Sequence, residues 1–421
     1  MAKGQYIHTK LFNQFVLLFC FLFFNLFSFS QGQVYQYARK IVDTLASESM
    51  HGRGYVNDGD KIAANYIRSE FQKFGLQSFS DSYYQTFSFP INTFPGKMFI
   101  AIDGKELVPG KDYIVSERSG SGKGEYILKK YMENKEGFVE VPKKDKKFAV
   151  MVDGNKKNPI MQSSKGPIVY VTDKKLTHDL EWNYFNVPAI ELVDSIIPKD
   201  AKKIKVDIQH KFIPDYQSQN VIGYVKGSVY PDSFIVFSAH YDHLGQMGSK
   251  VYFPGANDNA SGCAMLLNLA KHYSLPENKP KCSIVFIAFA AEEVGLLGSK
   301  YFTEHPLFPL KNTKFVFNMD IMGTGEEGIT VVNGLVFKTE FDKLKQMNTE
   351  NNFIKDVKVR GKAANSDHYY FSEKGVKAFF IYTMGGIKAY HDIYDRPETL
   401  PLNEFEDLFK LITQFGNYLQ N

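Results

Sequence analysis

The feature that most constrains this chain is the alternation that begins at Asn220. From there onward, apolar runs long enough to be buried strands (Phe234–Ala239, Ser283–Ala291, Lys314–Met319 and Phe379–Thr383) are separated by segments with helical apolar spacing, such as Cys263–Tyr273. A strand that is apolar on both faces must be covered on both faces, and helices are the usual cover. The expectation is an α/β fold, a doubly wound mixed sheet with helices on both faces. Two regions of different texture come first. Val34 to about Pro90 reads as helical: Val34, Tyr37, Ala38, Ile41, Val42 and Leu45 recur at helical spacing, and Ile62, Ala63, Tyr66, Ile67, Phe71 and Phe74 form a second stripe closed by Gly75. From about Ile91 to Tyr216, short β-rich runs (Lys97–Ile102, Phe148–Val152, Pro167–Val171) alternate with lysine-rich turns such as 143–147, which read as solvated loops. The expected organisation is therefore a domain built from 31–90 and 217–421, with 91–216 inserted as a β-rich domain.

The first thirty residues read as an export signal. Lys3 and Lys10 precede the apolar run Phe15–Phe24, and Ser28-Phe29-Ser30 offers small residues two apart, predicting cleavage before Gln31 and a secreted or periplasmic protein with no integral membrane span afterwards. The alternative is an uncleaved anchor, against which Asn13, Gln14 and Asn25 argue. Without those thirty residues the formal charge falls from +4 to +2, with 48 basic and 46 acidic residues. Such a neutral body supplies no electrostatic reason for a nucleic-acid partner. Cleavage also leaves Cys263 and Cys282, either a disulfide or two buried thiols, and sequence alone does not bring them together.

The chemistry gathers at strand ends. Phe234–Ala239 runs into His240-Tyr241-Asp242, where residues two apart share a face and a carboxylate can sit behind the imidazole. Gly255–Gly262 packs Asn257, Asp258 and Asn259 onto a small-residue loop. Ser283–Ala291 closes on Glu292-Glu293, adjacent carboxylates that repel unless something positive sits there. Lys314–Met319 ends in Asp320, and Phe379–Thr383 leads to Tyr390-His391. In open α/β sheets the carboxyl ends of the strands line the ligand crevice. His240, Asp258, Glu293, Asp320 and His391 are thereby predicted to converge on metal. His243 and His272 are not expected as ligands. Asp367-His368 lies between sheet segments, with His368 either near the site or a structural hydrogen-bonding residue.

These segments, from His240 to Gly245, Asn257 to Gly262, Ala291 to Ser299, and Tyr390-His391, resemble the family of di-zinc aminopeptidases, which also includes carboxypeptidases and glutaminyl cyclases. The likeness extends over Val34–Pro90, including Gly52-Arg53-Gly54, and over Asn220–Asn421. It implies a zinc exopeptidase fold and two zinc ions, Zn2+, per chain: one on His240, Asp258 and Asp320, the other on Asp258, Glu293 and His391. It further implies Glu292 as general base, Tyr390 as the group that stabilises the oxyanion, Asp242 as the partner of His240, and peptides with a free N-terminus as substrates. The loop from His243 to Asp258 is longer than in compact members. Within 91–216, the segments Gly166–Val171 and Val187–Leu192 resemble a protease-associated domain. The alternatives on the same scaffold are a glutaminyl cyclase, in which Trp typically precedes the last His, a carboxypeptidase, or a non-enzymatic receptor-like relative, which usually lacks the ligands. Side-chain preference and oligomeric state are not readable.

Overall fold

The computed structural model describes residues 32–131, 138–140, 148–155, 160–162 and 165–421. The export signal assigned to 1–30 and the lysine run 143–147 lie outside the described residues. Among the described residues, no helix is long and apolar enough to cross a membrane.

The central sheet has eight strands: β1 (Tyr84–Thr93), β2 (Lys211–Val225), β3 (Tyr230–His240), β4 (Cys282–Phe289), β5 (Thr313–Met319), β6 (Ile329–Val332), β7 (Val357–Val359) and β8 (Ala378–Thr383). Their spatial order is β1-β2-β4-β3-β5-β8-β6-β7. The middle four, β4, β3, β5 and β8, are mutually parallel. β2 joins β4 antiparallel on one side, and β6 joins β8 antiparallel on the other. The sheet is mixed, as expected. Helices cover it as α1 (32–45), α2 (Gly59–Lys73), α3 (Gly262–Ser274), α4 (Leu297–Glu304), α5 (Lys338–Asn351), α6 (His368–Glu373) and α7 (Phe405–Leu419).

Side-chain alternation divides them between two faces. Ile235, Phe237 and Ala239 of β3 pack into one core with Leu266 of α3 and Phe415 of α7. Phe234 and Val236 face the opposite core, with Phe302 of α4 and Phe371 of α6. Every residue of β4 is buried, so its continuous apolar run is what a strand covered on both faces requires.

One expectation fails locally. The stretch before Pro90 is not helical throughout, because Tyr84–Thr93 forms the edge strand β1, paired antiparallel with β2. Gln85, Phe87, Phe89 and Ile91 are buried at every second position, a period of two that decides for a strand. Pro90 is tolerated because β1 lies at the sheet edge, where the register also shifts between Phe89 and Ile91.

A second eight-stranded sheet takes its strands from between Met98 and Ile208. Its core contains Ile100, Val115, Ile190 and Val206, and also Leu244, Met247, Val251 and Phe253. The last four come from the long loop after His243. That loop is therefore packing material: its apolar side chains fill the second core, and the Val115 N–H points at Met247 Sδ, 3.2 Å away. Cys263 and Cys282 are both free and buried.

Candidate metal centre

Each parallel strand of the central sheet delivers its polar residue at its carboxyl end. His240 is the last residue of β3, Asp320 follows β5, and Glu292-Glu293 follow β4 after a short turn. Asp258 sits in the tight turn that precedes α3, and His391 on the connection after β8. All five of the residues expected to converge do so.

The geometry separates them into two groups sharing one carboxylate. His240 Nε2 is 3.4 Å from Asp258 Oδ1 and 3.2 Å from Asp320 Oδ1. His391 Nε2 is 3.3 Å from the other oxygen, Asp258 Oδ2, and 3.1 Å from Glu293 Oε2. Two atoms held about 2.0–2.1 Å from one tetrahedral ion lie about 3.3 Å apart. The donor set, nitrogen and carboxylate oxygen, and its spacing fit zinc on both sides of Asp258. Glu292 can also converge with His240 and Asp320, so its carboxylate stands over the same centre.

The electrostatics point the same way. Burial acts to strip protons from His240 and His391, yet the surrounding carboxylates hold both imidazoles well above their ordinary value, with Asp320 acting most on His240 and Glu293 on His391. Burial alone would raise Glu293, but His391 and His243 hold it down to about 2. Glu292 has less relief: burial, assisted by Asp320 and Glu293, pushes its carboxyl well above the usual range. A buried cluster that draws protons onto its histidines is one whose charge calls for cations.

The supporting shell was only partly legible. Asp242 accepts the N–H groups of Glu292 and Glu293 at 3.2 and 3.3 Å and the Tyr55 hydroxyl at 2.9 Å. Its carboxylate stands 3.7 Å from His240 Nδ1, whose nearer neighbour is the Asp242 carbonyl oxygen at 3.2 Å. The partner of the His240 ring is thus the main chain of Asp242, while the carboxylate aims the paired glutamates. Asp395 accepts the N–H groups of Asn257 and Asp258 at 2.8 and 2.9 Å. His243, set aside as a ligand, meets Glu293 Oε1 through Nδ1 at 2.7 Å. His368 is buried beside Phe380, with its value lowered by burial to about 4, and His272 lies against Phe409 near the end of α3.

The mouth of the site is a pocket of about 210 Å³, walled by Ile321, Phe380, Tyr382, Tyr390, Arg360 and Asn365 above the acidic floor. Tyr390 is half exposed and stacks on His391 with centroids 4.0 Å apart.

Residues 220–416, which carry all five convergent side chains, match the model of peptidase family M28. Over these residues the chain is similar to peptidase family M28. Among curated relatives, aminopeptidase YwaD of Bacillus subtilis is 30% identical over 251 residues, covering 58% of this chain and 53% of YwaD. A probable zinc metalloprotease of Pyricularia oryzae is 39% identical over 113 residues, covering 26% of this chain and 22% of its own length. The chain thus spans about half of the first relative and about a fifth of the second. Solved structures agree in fold. A zinc aminopeptidase from Bacillus subtilis superposes with a TM-score of 0.68 at 20% identity, covering 90% of this chain and 94% of that one. A peptidase M28 precursor from Shewanella amazonensis does so with a TM-score of 0.67 at 16% identity, covering 94% and 97%. The region that matches the family model thus carries most of the mixed, doubly wound sheet described above.

Proposed function

We propose that this chain is an exported, zinc-dependent aminopeptidase that removes N-terminal residues from peptides with two zinc ions. The observation that carries the reading is the pair of histidine–carboxylate groups that share Asp258, one on each of its oxygens, beneath a pocket open at Tyr390. His240, Asp258 and Asp320 would hold one ion, and Asp258, Glu293 and His391 the other. In this reading 31–90 and 217–421 form the peptidase domain, 91–216 the insert, and 1–30 directs export.

The zinc pair, when bound, acidifies a water molecule and polarises the scissile carbonyl. The residues of this chain do the rest. Glu292, its carboxylate high in proton affinity, takes a proton from the attacking water and returns it to the leaving amine. Tyr390 donates its phenol hydrogen to the oxyanion that develops on the former carbonyl. The acidic floor pairs with the positively charged α-amine of the substrate. The pocket falls below the roughly 300–1,000 Å³ of typical ligand sites, so it suits one terminal side chain, against Ile321 and Phe380, more than an extended segment.

The test compares a peptide with a free N-terminus, its acetylated form and an N-terminal glutaminyl peptide, read by mass spectrometry. Release of the first residue from the free peptide, with orders-of-magnitude less from the acetylated one, is the expected result. Equal cleavage of the acetylated peptide would reject exopeptidase action, and ammonia loss without hydrolysis would assign a cyclase.

A further inference from the structure

The ligand segment around His391 is held by a strap from the second sheet. Strands Ile168–Thr172 and Ala189–Val193 are parallel neighbours in that sheet, and parallel neighbours require a crossover. Here the crossover contains no helix or strand of its own. It travels instead to the rim of the metal centre. His391 Nδ1 lies 2.7 Å from Asp179 Oδ1. The His178 N–H donates to the His391 carbonyl at 2.8 Å. Lys175 Nζ donates to the carbonyl oxygens of Tyr390 and Lys388 at 2.9 and 3.1 Å and pairs with Asp392 Oδ2 at 2.6 Å.

The strap is rigid at its root. Leu176 is buried in the second core, and Leu180 packs against both cores. Between them the His178 ring stacks on Phe253 with centroids 4.9 Å apart and meets Phe94 edge-on. Alternate residues thus face opposite ways: 176, 178 and 180 inward, while 175 and 179 reach the 388–392 segment. The side chain of Asp179 is otherwise solvent-facing, and among the described residues its one short contact is the ring nitrogen that His391 does not turn toward Asp258 and Glu293.

We propose that Asp179 is a positioning residue for the His391 metal ligand, supplied by the second sheet, so that this sheet completes one of the two zinc sites. A carboxylate accepting Nδ1–H leaves Nε2 as the lone-pair nitrogen, fixes the ring plane and raises the basicity of the ligand. Asp179 performs this for His391, and Lys175 and His178 fix the main chain on either side. The inference rests on the two-zinc reading above.

The experiment is a zinc titration of the full chain against a competing chelator, for the wild type, Asp179→Ala and Asp179→Asn. The wild type should bind two ions. Asp179→Ala should weaken one of them by about 10–100-fold and leave the other unchanged. Asp179→Asn, whose amide oxygen still accepts Nδ1–H, should fall between. The thermal midpoint of the metal-free protein should not move, since the Asp179 side chain is solvent-facing. Two sites of wild-type affinity in Asp179→Ala would overturn the assignment, as would equal weakening of both sites. A wild type that binds fewer than two ions would instead overturn the two-zinc reading itself, and this inference with it.

Discussion

The guanidinium of Arg53 donates to the main-chain carbonyl of Asp258 at 3.1 Å, across 205 residues of sequence. The same fully buried group donates to the carbonyls of Leu45, Tyr241, Pro254 and Gly255 at 2.7–2.9 Å. Arg53 thus ties the end of α1, the residue after β3 and the turn bearing the shared carboxylate into one piece. The glycines beside it are required by contact: a Cβ on Gly52 would fall 2.3 Å from the Gly245 carbonyl oxygen, and one on Gly54 would fall 2.4 Å from Gly245 Cα. Gly52-Arg53-Gly54 is a clamp on the backbone of the candidate metal centre.

Arg53→Lys keeps the charge but replaces a planar fork by an ammonium with three donors, leaving buried carbonyls without partners. It should cost about 2–4 kcal/mol, given about 1–3 kcal/mol for each unsatisfied buried group, and weaken zinc retention by loosening Asp258. Urea denaturation with metal analysis checks both. Wild-type stability in this variant would show that the clamp is dispensable.

The paired glutamates should separate by phenotype. Glu293 faces both His391 and His243, at 3.1 and 2.7 Å, whereas burial raises the proton affinity of Glu292. Glu292→Gln should retain its zinc and lose about 10²–10⁴ in turnover, while Glu293→Gln should lose zinc affinity first. Metal content beside single-turnover rates distinguishes them, and reversed phenotypes would exchange the roles.

Treatment with a chelator should abolish activity, and zinc should restore it at about two ions per chain. Metal content measured against recovered rate makes the comparison. Full activity in verified metal-free protein would reject metal catalysis.

How much of this was legible depends on how local the signal is. His240, Asp320 and Glu292-Glu293 each close an apolar strand, so strand periodicity and the strand-end rule bring them together without tertiary knowledge. The β1 strand was missed although Gln85, Phe87, Phe89 and Ile91 alternate, because the helical stripes before it dominate the region and Pro90 interrupts the run. Asp179, Lys175 and Asp395 carry no such pattern. Each lies outside the regular elements and becomes meaningful only when a long connection folds back, as at the 212-residue separation of Asp179 and His391. Arg53 could be noticed between two glycines, but its five carbonyl partners come from elements that no periodicity links.

Stability should fall on the acid side through His178. Burial between aromatic rings lowers its value from 6.5 to about 4. Between those two values the unfolded chain takes up a proton that the folded one refuses, so stability declines as pH falls from 6.5 toward 4 and this contribution then levels off. The loss from this one group is on the order of 3 kcal/mol. His178→Phe should flatten that part of the profile, read as urea midpoints from pH 7 to 4. Parallel profiles for the two proteins would show that His178 does not carry the effect.

Tyr390 tests the oxyanion assignment most directly. Its ring stacks on His391, and its carbonyl is held by Lys175, so the hydroxyl projects from a fixed base at the rim of the pocket. Partial burial, with Asp258 and Glu293 nearby, raises the phenol above its ordinary value, which keeps it a proton donor throughout the neutral and mildly alkaline range. Tyr390→Phe retains the stacked ring and removes only the donor. Turnover should drop by about 10²–10³, the usual worth of one oxyanion donor, while KM and zinc content stay within about twofold because the oxyanion exists only in the transition state. Steady-state kinetics with metal analysis checks all three. A rise in KM at unchanged kcat would instead make Tyr390 a wall of the substrate pocket, and the oxyanion would then need another donor.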